Sequence, residues 1–224
     1  MKSKIKAIGF DFDGTLLMSE NKKVQAIVAV FKEEFKITKG VKKYYQELVG
    51  TGKNRDEKVK MLFQKFLNRE PTNKELKKVA DHFGRHYENS FNSCPLFKCT
   101  NLIKELKKQV KFMFILSLEN KKEVKKIANK CNYGKYFDEI LGGPKTKIEN
   151  IKHILKKHNL KPSEIIYVGD SKGDLIASNK MNIKFVLINK KFSYQQLKNS
   201  LGADFVFSSV CDLPININKL IGKT

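Results

Sequence analysis

The stretch Ile5-Lys6-Ala7-Ile8-Gly9-Phe10-Asp11-Phe12-Asp13-Gly14-Thr15-Leu16 decides how the rest of the chain is read. It begins as a short apolar run, the form of a buried parallel strand. It ends in two carboxylates, separated by one residue, just before a glycine. Open α/β sheets bind ligands outside the carboxyl ends of their strands, so acids at this place read as a site. On a strand, Asp11 and Asp13 point the same way and share one small volume. Like charges that close call for a cation or a proton between them. A metal site, an acid/base pair, or both would answer that need; a solvated turn, in which Asp and Gly merely end a strand, is the plainer alternative.

Outward from this strand the character of the chain changes twice. From residue 18 to 92 the apolar residues recur at helical spacing: Val24, Ile27, Val28, Phe31 and Phe35, then a short run from Val41 to Leu48, then Val59, Leu62, Phe63 and Phe66, then Leu76, Val79, Phe83 and Tyr87. This segment predicts an all-helical insertion, a small domain of its own. A glycine-bearing turn, Gly50 to Arg55, interrupts it and carries Lys53 and Arg55. Beyond residue 93 helices and strands alternate. Strands are expected at 110–116 (ending at Ser117), 137–141, 165–168, 185–188 and 205–207, and helices at 119–131, 148–158, 175–181 and 195–201, with one more at the C-terminus. The alternation predicts an α/β fold, a doubly wound parallel sheet made of residues 1–17 and 93–224, with residues 18–92 inserted as the helical domain.

Composition narrows the function. The 224 residues can bury a sizeable core. Net charge is +22, from 45 Lys plus Arg against 23 Asp plus Glu, which favours anionic partners. Only Arg55, Arg69 and Arg85 are arginines, and base readout and bidentate phosphate grip lean on arginine. The excess lysine, alongside abundant Asn and Ile, reads as biased residue usage and argues against nucleic acid as the partner. Cys94, Cys99, Cys131 and Cys211 form no CxxC pair, so no structural zinc is expected, and free thiols in a reducing cytoplasm fit. Lysines interrupt the N-terminus too often for a signal peptide, and no apolar run approaches a membrane span. His82 and His86 lie four apart on a helix, but with no carboxylate or cysteine nearby in sequence they read as a solvated face.

Four strand ends or following loops carry reactive groups: Asp11 with Asp13, Ser117, the loop with Lys145 and Lys147, and Asp170 with Asp174. A parallel sheet brings them to one edge. Carboxylates suit a hard cation such as Mg²⁺, and a hydroxyl with a lysine suits a phosphate's outer oxygens.

Together, Asp11-Phe12-Asp13-Gly14-Thr15-Leu16, Ser117 after its apolar strand, Lys147, and Gly169-Asp170-Ser171-Lys172-Gly173-Asp174 resemble the four motifs of the haloacid dehalogenase superfamily, in order and over nearly the whole chain. The resemblance implies a Mg²⁺-dependent phosphatase of small phosphorylated metabolites. Asp11 would be nucleophile and metal ligand, and Asp13 acid/base and carbonyl ligand. Asp170 would bind the metal, with Asp174 orienting metal waters or the lysine. Ser117 and Lys147 would hold the phosphoryl group; Lys147 rather than Lys145 stands at the family's usual distance from Gly169-Asp170. The helical insertion resembles the cap of the phosphoglycolate phosphatase and β-phosphoglucomutase branch, where Lys53 and Arg55 would meet a substrate anion. Asp13 argues against phosphonoacetaldehyde hydrolases and dehalogenases, which lack it. Alternatives are a phosphomutase of the β-phosphoglucomutase type, a nucleotide or nucleic-acid-end phosphatase, and a basic binding protein. Oligomeric state is not readable from the sequence.

Overall fold

β1 (Ala7–Phe10) lies inside a six-stranded sheet whose pairings are all parallel. The sheet belongs to a computed structural model that describes residues 5–49, 51–91, 100–188, 202–213 and 220. To one side of β1 stand β2 (Phe112–Asn120) and β3 (Glu139–Gly143). To the other stand β4 (Ile165–Gly169), β5 (Lys184–Ile188) and β6 (Phe205–Phe207). The strand order 3-2-1-4-5-6 reverses between β1 and β4, which opens a crevice at their carboxyl ends. The doubly wound α/β sheet expected from the alternation is the fold observed.

The strands run apolar because both faces are covered. On one face Phe114, Leu116, Ile165, Tyr167, Phe185 and Leu187 pack with Ile151 and Ile154 of α7 (Lys147–Lys157) and Leu175 and Ala177 of α8 (Lys172–Lys180). Gly9 sits in register with Phe114 on one side and Tyr167 on the other. A Cβ at Gly9 would lie 2.3 Å from the Phe114 ring, so this glycine makes room for the aromatic layer.

β2 departs from expectation. It does not stop at Ser117 but continues to Asn120. Leu116 pairs with Leu141 and Asn120 with Gly143, so four steps along β2 match two along β3. The surplus is a bulge over 117–119. Gly142 accommodates it, since a Cβ there would lie 2.5 Å from the Glu119 carbonyl oxygen. The helix expected from Glu119 therefore begins later, as α6 (Lys121–Lys130), with Asn120 accepting the Lys122 N–H at 2.9 Å as its cap. The expected helices at 195–201 and at the C-terminus fall mainly outside the described residues.

Residues Ser19–Pro95 form one compact unit, and Met1–Met18 with Leu96–Thr224 another. The first holds α1 (Glu20–Phe35), α2 (Val41–Leu48), α3 (Arg55–Leu67) and α4 (Asn73–Asn89). Its core is aromatic: the Phe63 ring meets those of Phe31 and Phe35 edge-on, at centroid distances of 5.9 and 4.9 Å. Asn54 with Glu57, and Thr72 with Glu75, close capping boxes at the starts of α3 and α4. The expectation of free thiols does not hold for Cys131 and Cys211, which are both disulfide-bonded. No described helix is long and apolar enough to cross a membrane.

Arg69 grips Glu75 with two nitrogens, at 3.0 and 2.6 Å, and the Thr72 N–H donates to the same carboxylate at 2.9 Å. Led by the Arg69 hydrogen bond, these donors hold the Glu75 carboxyl at about 2, below its ordinary 4.5. A carboxyl depressed on folding stabilises the protein above its unfolded pKa and loses that contribution as pH falls toward its folded one. Thermal unfolding of Glu75→Gln should fall short of wild type by its full margin at pH 6. The margin should close as pH drops from 4.5 toward about 2; a margin that ignores pH would contradict this reading.

Candidate active site

Asp11 directly follows β1, and its N–H donates to the Val168 carbonyl of β4 at 2.8 Å. The chain then folds back on itself. Leu16 and Leu17 donate to the Phe12 carbonyl at 3.0 and 2.9 Å, and Gly14 to that of Leu17 at 2.8 Å. Gly14 takes φ +88°, and a Cβ on it would lie 2.0 Å from Asp170 Oδ2. Both the turn and the close approach of Asp170 therefore need a glycine.

Lys147 is the first residue of α7. Thr146 caps that helix in a box with Glu149, which fixes where the lysine leaves the backbone. Its side chain is buried, its Nζ lies 2.5 Å from Asp11 Oδ1, and it also donates to Asp174 Oδ1. Asp174 is the third residue of α8, capped by Ser171. It is wholly buried and accepts four hydrogen bonds. Lys147 and the Tyr167 hydroxyl (3.0 Å) donate to Oδ1, and the Ser171 N–H (3.1 Å) and hydroxyl donate to Oδ2.

Asp11, Asp170 and Asp174 can each present an oxygen within 4.8 Å of the other two. Burial, then the neighbouring charges of Asp174 and Asp170, push the Asp11 carboxyl well up, against the pull of Lys147. Burial pulls the Lys147 ammonium down, but Asp11 and Asp174 outweigh it and keep the group protonated. Burial, followed by the charges of Asp174 and Asp11, raises the Tyr167 phenol far above its ordinary value, so its hydroxyl is a donor. Three carboxyl groups thus face one ammonium in a confined place. A hard divalent cation with oxygen ligands fits that donor set.

The structure thus brings together Asp11, Lys147, Asp170 and Asp174. Asp13 is half-buried in the turn beside them in sequence. Ser117 is buried at the start of the β2 bulge, its hydroxyl accepting the Glu119 N–H at 3.1 Å. Lys145 is exposed. In the helical unit, Lys53 is half-buried and Arg55 lies over the Phe83 ring, 4.2 Å from its centroid; Gly50 is outside the described residues. Carboxylates do stand beside His82 and His86, contrary to expectation. His82 pairs with Glu34 at 2.6 Å and His86 with Glu33 at 2.9 Å, both supplied by α1. Tyr167 was not expected at the site. Its signal was a polar tip inside the apolar run Ile165-Ile166-Tyr167-Val168, since a buried tyrosine hydroxyl needs a partner.

Fold and site define an α/β enzyme with a carboxylate–lysine cluster at the carboxyl edge of a parallel sheet. The chain belongs to the haloacid dehalogenase-like hydrolases, whose family pattern matches residues 8–188. It is 24% identical over 227 residues to a phosphoglycolate phosphatase of Haemophilus influenzae, covering 95% of this chain and 98% of that one. A phosphoglycolate phosphatase of Vibrio vulnificus is 27% identical over 232 residues, covering 95% and 96%. Among solved structures, CbbY from Rhodobacter sphaeroides in complex with phosphate superposes with a TM-score of 0.77 at 18% identity, covering 93% of this chain and 96% of that one. The enzyme is thus a hydrolase of the haloacid dehalogenase type, and its curated relatives are phosphatases.

Removing one partner of a buried ion pair leaves an uncompensated charge, at a cost of about 3–5 kcal/mol. Lys147→Met should therefore lower the urea-unfolding free energy of the chelator-treated protein by roughly 3 kcal/mol at neutral pH. Stability equal to wild type would mean that the cluster does not depend on this ammonium.

Proposed function

We propose that the protein is a Mg²⁺-dependent phosphatase of small phosphorylated metabolites that works through an aspartyl-phosphate on Asp11. The observation that carries the reading is the Lys147 ammonium, set against both Asp11 and Asp174 at the carboxyl edge of the sheet. A carboxylate beside a fixed cation, at a strand end where ligands bind, is placed to attack an anionic phosphoryl group.

In the first half-reaction a carboxylate oxygen of Asp11 attacks phosphorus. The bond from phosphorus to the substrate oxygen breaks, and Asp13 gives its proton to that leaving oxygen. In the second, Asp13 takes a proton from water as the water oxygen attacks phosphorus. Phosphate leaves and the Asp11 carboxylate is restored. Lys147 neutralises charge on Asp11 and on the phosphoryl oxygens in both steps, and the Ser117 hydroxyl donates to those oxygens. Asp174, with four protein donors already on it, serves to hold Lys147 in place. Asp11, the Asp13 carbonyl and Asp170 would hold Mg²⁺, which supplies, when bound, the positive charge that one lysine cannot.

The helical unit, residues 18–92 as read from the sequence, is proposed as a cap, with Lys53 and Arg55 offering charge to a second anionic group of the substrate. The phosphoglycolate phosphatases among the relatives make a small phosphorylated acid the first substrate to try. Sugar phosphates and nucleotides complete the panel.

Purified protein should release phosphate from a generic aryl phosphate with Mg²⁺ and lose that activity on chelation. Asp11→Asn should reduce turnover by about a thousandfold or more, as expected when a nucleophile is removed. Full activity in that variant, or indifference to divalent ions, would refute the mechanism. Isomerisation of a hexose phosphate faster than phosphate release would turn the assignment to a phosphomutase.

A further inference from the structure

Tyr167 spans more of the site than any role given so far requires. It stands on β4, in register with Gly9 of β1. Its hydroxyl donates across β1 toward the Leu116 carbonyl of β2, at 3.2 Å, and toward Asp174 Oδ1, at 3.0 Å. A phenol has one proton, and a carboxylate is the stronger acceptor. Leu116 is the residue before Ser117, and Asp174 is the residue that holds Lys147 against Asp11. One buried hydroxyl therefore touches both the β2 carbonyl just before Ser117, where the bulge begins, and the carboxylate that carries the lysine.

The remaining bonds of Asp174 show what the hydroxyl adds. Both donors on Oδ2 come from Ser171, three residues back in the same helix turn. They anchor one oxygen. Among the described residues, Oδ1 accepts from Lys147 Nζ, at the end of a four-carbon stem, and from the Tyr167 hydroxyl. Among the described residues, Tyr167 is the donor to Oδ1 that stands on a strand of the sheet. The aromatic ring does separate work, with Lys147 Nζ lying 5.9 Å from its centroid.

We propose that Tyr167 is a positioning residue for the phosphoryl-transfer step, its hydroxyl fixing Asp174 Oδ1 so that Lys147 stays against Asp11. This rests on the phosphatase reading above. The residue touches neither substrate nor metal in this account; it acts through Asp174 and Lys147.

Tyr167→Phe isolates the hydroxyl, because it keeps the ring and its contact with the ammonium. Two measurements test the inference together. Steady-state hydrolysis of an aryl phosphate at saturating Mg²⁺, well below the variant's melting temperature, should show kcat reduced about tenfold with KM within about twofold of wild type. A crystal structure of the chelator-treated variant should show the Asp174 carboxylate turned and Lys147 Nζ withdrawn from Asp11. If Tyr167 served stability alone, the melting temperature would fall while kcat of the folded protein and the position of Lys147 stayed as in wild type. Either an unchanged kcat or an unmoved Lys147 overturns the proposal. An inactive wild-type enzyme overturns the phosphatase reading itself, and this role with it, so the two failures are told apart by the wild-type control.

Discussion

A buried ammonium held between two carboxylates is the contact on which the rest of the site depends. Lys147 reaches Asp11 and Asp174 from three different elements' ends: the start of α7, the end of β1 and the first turn of α8. Charges taken out of water are stable only when their partners are fixed in good geometry. The local structure supplies that fixation. Thr146 sets the start of α7, Ser171 sets the start of α8 and binds Asp174 directly, and the Asp11 backbone is tied to Val168. The sheet order puts β1 and β4 side by side where the winding reverses, so these ends meet in one crevice.

The same contact bears on the different roles proposed for the acids. Asp174 is saturated with protein donors and wholly buried, which suits a fixed counter-charge. Asp11 and Asp170 offer carboxyl oxygens at the crevice, where a divalent cation and a phosphoryl group would complete the site. Gly14 lets Asp170 come in close by having no Cβ in its way. Asp13, half-buried in the turn that Gly14 makes, lies two residues beyond the proposed nucleophile, and proton transfer is the part proposed for it.

Much of this was legible in the residues. The strand ending in Asp11, the alternation after residue 93 and the helical spacing of Phe31, Phe63 and Phe83 each follow from periodicity, which burial imposes directly. Asp170 and Asp174 stood out because acids follow an apolar strand. What was not legible depends on geometry between distant segments. The β2 bulge at 117–119 arises because β2 must run past Ser117 while β3 keeps its own count, and Gly142 looks like a loop residue until Glu119 is seen against it. Glu33 and Glu34 meet His86 and His82 across two helices, some fifty residues apart, which no local pattern reveals. Tyr167 read as one more apolar strand residue, since a tyrosine's body fits a core and only its partner tells what its hydroxyl is for.

The central claim is that Asp11, paired with Lys147, takes up the phosphoryl group. Its most direct test is to acid-quench the enzyme during turnover of a ³²P-labelled substrate with Mg²⁺, reduce the trapped acyl phosphate with borohydride and locate the modified residue by mass spectrometry. The account predicts label on the protein in the quench and conversion of Asp11, and no other aspartate, to homoserine. Phosphate release with no trapped label, or label on a different residue, would contradict it.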